Sequence, residues 1–183
     1  MSEIEDLTAW EVLDSRGNPT VRAEVRTKAG ETGRFTVPAG ASTGEFEATE
    51  IRDGGDRYGG LGVREPVATV NTDLRAAVVG REVTELETID RVVEEIDGTD
   101  DFSSVGANAT LAVSGASLHA ASADVGAPLY RYLAEMTGGT CSLPMPMANI
   151  ISGGLHAQGG VEIQDFLIVP RGASTFSEAL EMV

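Results

Sequence analysis

An α+β fold is what this sequence predicts: a three-stranded meander first, helices after it, and no strand–helix alternation of the kind that builds a parallel sheet. Three observations point there. Val21, Ala23 and Val25 alternate with Arg22, Glu24 and Arg26, the period of a half-buried strand. Beyond residue 62 the apolar spacing becomes helical, in stretches punctuated by Gly80, Gly98 and Pro128. Past the run MTGGT the texture changes again, to short apolar runs bounded by Pro and Gly.

Each element has its own signal. The meander is predicted over residues 8–38, with KAGETG supplying a reversal and Phe35 and Val37 resuming the alternation. A first helix starts near Pro66, a favoured first-turn residue, and places Val67, Val70, Leu74 and Ala77/Val78 on one face until Gly80. The second has a capping box, Thr84-x-x-Glu87, ahead of Leu86, Ile89, Val93 and Ile96, and Gly98 stops it. The third, GANATLAVSGASLHAASADVGAP, is packed with small residues, as suits a deep helix that lets neighbours come close. LPMPMANIISGG and VEIQDFLIVP are two further strands, and Ser174 caps a last helix carrying Phe176, Leu180 and Val183. Residues 1–136 are expected to form one domain and residues 137–183 the opening of another.

Bulk properties narrow the function. At 183 residues and 42% hydrophobic content the chain can bury a core, so disorder is not expected. Its apolar runs fall short of a membrane span, and the opening MSEIEDL is acidic where a signal peptide is basic and then apolar. The single cysteine, Cys141, excludes an internal disulfide and fits a reducing, cytoplasmic setting; no motif surrounds it to suggest a catalytic thiol. The formal charge of -16 has the wrong sign for a nucleic-acid backbone. Lys28 is the only lysine among the 13 basic residues. An acidic surface built on arginine is expected of a protein working in molar salt, where the Debye length is about 3 Å and like-charge repulsion is screened.

Several segments are candidates for chemistry. VPAGASTGEFEA, residues 37–48, lacks the P-loop lysine but sets Ser42 and Thr43 between glycines; it reads as a turn, a phosphate cradle, or a loop offering oxygens to a hard cation such as Mg²⁺. RDGGDRYGGLG lacks both nucleotide-loop fingerprints and reads as a structural loop. In SGGLHAQGG, His156 follows a glycine pair in a loop, whereas His119 lies inside the small-residue helix and reads as structural. VEIQDFLIVP presents Gln164 and Asp165 on opposite sides of a regular strand. Asp165 there is either an acid or base in a pocket or a solvated strand start.

Taken together, EVLDSRGNPTV, VPAGASTGEFEA, RDGG with RYGG, GANATLAVS, LPMPMANIISGGLHA and QDFLIVP resemble the enolases, in order and spacing over essentially the whole chain. The resemblance implies an α+β N-terminal domain, then the first strands of a TIM-like α/β barrel that opens with an antiparallel pair. It implies dehydration of 2-phosphoglycerate to phosphoenolpyruvate, with a lysine base, an acid assisting departure of the hydroxyl, and two Mg²⁺ ions neutralising the carboxylate beside a scarcely acidic C–H. Carried over by position, Ser42 matches the mobile-loop serine that ligates the second Mg²⁺, with Ala41 and Thr43 flanking it and Ala41 at the substrate. His156 matches a substrate-facing catalytic histidine and Gln164 a substrate-contacting glutamine. Asp165 stands where most relatives have a glutamate near the leaving hydroxyl. A homodimer or higher homo-oligomer and a cytoplasmic location are implied likewise, although relatives also occur at the cell surface.

The departures matter. Asp165 shortens its arm by one methylene, a shift of about 1 Å, and displacements of that size can cost about 10²-fold in rate. Ser152 replaces the usual Asn of the NGG turn and Ala39 replaces a Ser; both are expected to be tolerated. Trp10 and Arg22 replace an Arg–Glu pair of the family's dimer contact, so any dimer here uses other contacts. The base, the principal proton donor and the three carboxylates of the first Mg²⁺ match nothing in the sequence, and a complete barrel alone takes about 250 residues. The chain is therefore expected to be the N-terminal part of an enolase, from a halophilic archaeon, inactive alone. The competing readings are a non-catalytic interaction module of the same ancestry and a superfamily relative acting on another carboxylate.

Overall fold

A computed structural model describes residues 2–40, 44–154 and 160–183. The chain divides into two compact units, Met1–Thr137 and Gly138–Val183.

The first unit opens with an antiparallel sheet of β1 (Ile4–Leu13), β2 (Pro19–Thr27) and β3 (Thr32–Thr36), with β2 central. On β2 the alternation works as read: Val21, Ala23 and Val25 are fully buried while Arg22 and Arg26 face out. On β1 both Ile4 and Leu7 are buried, although residues three apart lie on opposite faces of a regular strand. A register shift between Ile4 and Asp6 supplies the extra residue that turns both inward. The outer edge of β1 is paired in two ways. Residues 80–83 bond to it through Gly80 N to Ile4 O (2.9 Å) and Ile4 N to Arg81 O (2.8 Å). Further along, the Asn71 amide mimics a strand, accepting from Ala9 N at 2.8 Å and donating to Ala9 O at 3.0 Å.

Asn71 lies in a continuous helical stretch made of α1 (Arg64–Thr69), a π-helical segment (Val70–Leu74) and α2 (Arg75–Val78). Its core contacts, Val70, Leu74 and Val78, are spaced by four. An α-helix drifts by about 40° at each such step, and the wider i→i+5 turn takes up part of that drift.

The second predicted helix is α3 (Leu86–Asp97), ended by Gly98 at φ 68°. Two details depart from expectation. The N-cap is Glu85, without a side-chain bond, so the Thr84–Glu87 capping box does not form; buried Val83 and Leu86 set where the helix docks. Ile96 is half-exposed, and the inward position belongs to Asp97. Its carboxylate accepts from Val105 N (2.6 Å), Ser104 N (3.2 Å) and Thr99 N (3.0 Å), folding the following loop back onto the helix end. Burial opposes ionisation of Asp97, but the Thr99 hydroxyl, which also donates to it, and these backbone bonds outweigh burial and hold the carboxyl below its ordinary range.

α4 (Ala107–Val125) is the central helix, burying Ala109, Ala112, Val113, Ala116, Ser117, Ala120 and Ala121 against β2 and β3. Its small side chains allow a very close approach: a Cβ on Gly33 of β3 would lie under 3.0 Å from Ala120 N and Ala116 O. A further helix absent from the sequence reading, α5 (Leu129–Thr137), buries only Tyr132.

In the second unit, β4 (Ala148–Ser152) pairs antiparallel with β5 (Asp165–Ile168), both shorter than the runs read as strands. α6 (Phe176–Glu181) is capped by Thr175 rather than Ser174: the Thr175 hydroxyl accepts from Glu178 N at 3.1 Å, and the Glu178 carboxylate accepts from Ser174 N at 2.7 Å. The cap is displaced by one residue because this placement buries Ala179.

Candidate active site

The segment carrying the ASTG motif is tied at both ends. On its N-terminal side Val37 is buried, donating to Val21 O at 2.9 Å and accepting the Thr20 hydroxyl at 2.7 Å. On its C-terminal side Thr49 N donates to Asp101 O (2.7 Å), Thr49 O accepts from Ala107 N (2.8 Å), and the Thr49 hydroxyl donates to the Asp101 carboxylate (3.1 Å). The hydroxyls of Ser103 and Thr49 hold Asp101 below the ordinary carboxylate range. Buried Asn108, at the start of α4, repeats the strand mimicry of Asn71: it donates to Ile51 O at 2.9 Å and accepts from Ile51 N at 3.4 Å. Ala41, Ser42 and Thr43 lie outside the described residues.

RDGGDRYGGLG is structural. Asp53 supplies the cap that α1 lacks locally, accepting from Arg64 N (2.9 Å) and Glu65 N (2.8 Å). Gly62 has no room for a side chain, since a Cβ there would strike the Asp53 carboxylate. Arg57 forks onto Glu11 of β1, which also accepts from Val63 N at 3.0 Å. Arg52 donates to Pro19 O (2.6 Å) and Leu61 O (3.0 Å). His119 is half-buried in α4, its ring centroid 6.3 Å from that of Phe35. Trp10 and Arg22 are register partners on β1 and β2, and the Arg22 Nε donates to Thr36 Oγ1 at 2.7 Å.

In the second unit the glycine pair brings β4 against the segment leading into β5. Gly153 N donates to Gln164 O at 2.7 Å and Gly154 N to Val161 O at 2.8 Å. A Cβ on Gly153 would press on the carbonyls of Val161 and Ile163. β5 begins only at Asp165, so Gln164 lies in the bend before it and the two are not opposite faces of one regular strand. Asp165 is the register partner of Ser152, and its Oδ1 accepts from Asn149 Nδ2 at 2.5 Å and from the Ser152 hydroxyl at 3.4 Å. Asn149 was not singled out from the sequence; the one local signal is its place ahead of the glycine pair. His156 lies outside the described residues.

Among the described residues no group of three or more His, Cys, Asp or Glu side chains is placed to hold a metal ion. No helix among them is long and apolar enough to cross a membrane.

Known proteins place this architecture. A family model for the enolase N-terminal domain matches residues 4–133, and one for the enolase C-terminal TIM barrel domain matches residues 140–183. Curated enolases of Campylobacter jejuni strains 81-176 and RM1221 are each 50% identical over 183 residues, which is 100% of this chain and 44% of theirs. The enolase of subspecies doylei matches equally, at 50% identity and 44% of its length. The chain thus spans less than half the length of these relatives. Across both segments, and by its three-stranded sheet, helices and antiparallel strand pair, the chain belongs to the enolase family.

Proposed function

We propose that this chain serves the enolase reaction, the reversible Mg²⁺-dependent dehydration of 2-phosphoglycerate to phosphoenolpyruvate. The observation that carries the reading is 50% identity to curated enolases over every residue of the chain. In it, Gln164 and Ala41 bind substrate, His156 faces the substrate as a catalytic group, and Asp165 lies by the departing hydroxyl. The hydroxyl of Ser42 is a Mg²⁺ ligand.

A Mg²⁺ ion takes about six oxygen donors and a serine hydroxyl is one of them, so the residues present do not make a complete metal site. The carboxylates that hold the metal in the family match no positions here. What these residues contribute is binding, orientation and proton handling. The Asp165 carboxylate is oriented by two neutral donors, and in this reading it is presented toward the departing hydroxyl.

The test joins residues 1–183 to the part of Campylobacter jejuni enolase that lies outside its match and follows phosphoenolpyruvate formation with Mg²⁺. The chimera is expected to turn over and residues 1–183 alone are not; Ser42→Ala in the chimera is expected to lower kcat about 10²-fold. A folded, inactive chimera refutes the reading.

A homodimer or higher homo-oligomer built on contacts other than the family's Arg–Glu pair, whose places Trp10 and Arg22 take, a cytoplasmic location and an origin in a halophilic archaeon complete the proposal. The last is supported by the charge of -16 and the single lysine. Its expected consequence is a thermal midpoint that rises between dilute buffer and molar KCl, as salt screens carboxylate repulsion. A flat or falling midpoint counts against adaptation to salt.

A further inference from the structure

We propose that Asn149 and Ser152 are positioning residues for Asp165, fixing the direction in which its carboxylate is presented; this rests on the reading of Asp165 as a substrate-contacting group. Asn149 and Ser152 are three apart on β4, a spacing that puts side chains on opposite faces of a regular strand. The register shift between Asn149 and Ile151 adds a residue against β5 and brings both onto the face of Asp165. The Asn149 amide then divides its two protons, one to Asp165 Oδ1 at 2.5 Å and one to the Ser152 hydroxyl at 2.8 Å. The Ser152 hydroxyl in turn donates to the same Oδ1 at 3.4 Å.

The result is a closed triangle in which both donors converge on one carboxylate oxygen. No hydrogen bond among the described residues engages Oδ2. Asn149 and Ser152 are exposed, so water would satisfy all three groups if the triangle were absent. Its effect is therefore direction: Oδ1 is anchored to β4, and Oδ2 is the oxygen left to face a ligand. Both donors are neutral, an amide and a hydroxyl, so what they impose on the carboxylate is direction. An added methylene, as in Asp165→Glu, pushes the carboxylate about 1 Å past both donors.

Two experiments decide this. In the 183-residue chain, the Asn149 side-chain amide is followed by NMR. Asp165→Ala is expected to shift both of its proton resonances and to speed their exchange at least tenfold; unchanged resonances overturn the triangle. In the chimera, Asn149→Ala is expected to lower kcat about 10²-fold and leave the KM for 2-phosphoglycerate within about twofold, since a swung carboxylate spoils the reacting geometry more than binding. Ser152→Ala is expected to lose about tenfold in kcat, and Ser152→Thr, which keeps the hydroxyl, to recover most of it. A merely structural tie between strands predicts lower thermal stability for Asn149→Ala with kcat unchanged, and that result overturns the proposal. An inactive parent chimera refutes the enolase reading instead, and the NMR result then decides whether Asn149 and Ser152 hold Asp165.

Discussion

Gly33→Ala is expected to destabilise the first unit by about 3 kcal/mol or more, lowering its thermal midpoint by roughly 10 °C. The added methyl would meet Ala120 N and Ala116 O, both closer than 3.0 Å. These are backbone atoms of a 19-residue helix whose buried residues, Asn108 at its start apart, are Ala, Val and Ser. No rotamer change relieves the clash; the whole of α4 must move off the sheet, opening the contact that buries Ala116, Ala120, Val21 and Val25. Two other glycines grade the argument. At Gly115 the added methyl would meet the Phe35 ring, a side chain that can swing, and alanine returns about 1 kcal/mol of helix propensity, so a smaller loss is expected. At Gly44 nothing lies within 4 Å, and Gly44→Ala is expected to change stability by less than about 0.5 kcal/mol. Denaturant titrations of the three variants check the order. A Gly33→Ala protein as stable as Gly44→Ala would mean that the helix does not lie this close to β3.

What could be read from the sequence is what lies within a few residues along the chain. The alternation on β2, the turn before β3 and the Gly98 stop are all local, and each is found where it was read. Failures occur where a contact with a distant residue decides. Thr84-x-x-Glu87 has the composition of a capping box, yet burial of Val83 and Leu86 starts the helix at a register that leaves Thr84 outside it. Ile96 was read as the inward residue, but Asp97 takes that place because N–H groups of the next loop donate to its carboxylate. Asn71 and Asn108 carry no local signal of their role, since Ala9 and Ile51, the backbones they pair with, lie 62 and 57 positions away. α5 was passed over because a single inward residue, Tyr132, gives no period to detect.

The candidate site divides the same way. Its motif residues were legible through resemblance to a family, and spacing alone left each of them between a site and a turn. Ser42 and His156, which carry most of the proposed chemistry, lie outside the described residues, so the geometry bears on Asp165 and its neighbours. The triangle around Asp165 needed the fold: Asn149 is 16 positions away in sequence, and only the β4 register shift turns it toward the carboxylate.

Acid is expected to remove stability from the first unit through Glu11. Two nitrogens of Arg57 hold this carboxylate, and with further help from Val63 N they outweigh its partial burial, so its pKa falls from 4.5 to about 2. A folded-state pKa below the unfolded one means that the unfolded chain takes up the proton first. The stabilisation is therefore complete above about pH 4.5, declines as pH falls, and is gone below the folded pKa of about 2. A shift of this size corresponds to at most about 3 kcal/mol, and nearer 2 kcal/mol because solvent reaches the Arg57 end, which is 34% exposed. Acid also discharges a surface of charge -16 and relieves its repulsion, so the absolute stability curve mixes two opposing effects. The difference between the parent and Glu11→Gln isolates the ion pair, because surface discharge acts on both alike. That difference is expected to be about 2 kcal/mol at pH 7 and to shrink to less than half of that by pH 3. Urea titrations from pH 3 to pH 7 measure it. A difference independent of pH would mean that Glu11 holds Arg57 and Val63 N as a neutral hydrogen-bond acceptor, and that the charge on Arg57 contributes nothing to the hold.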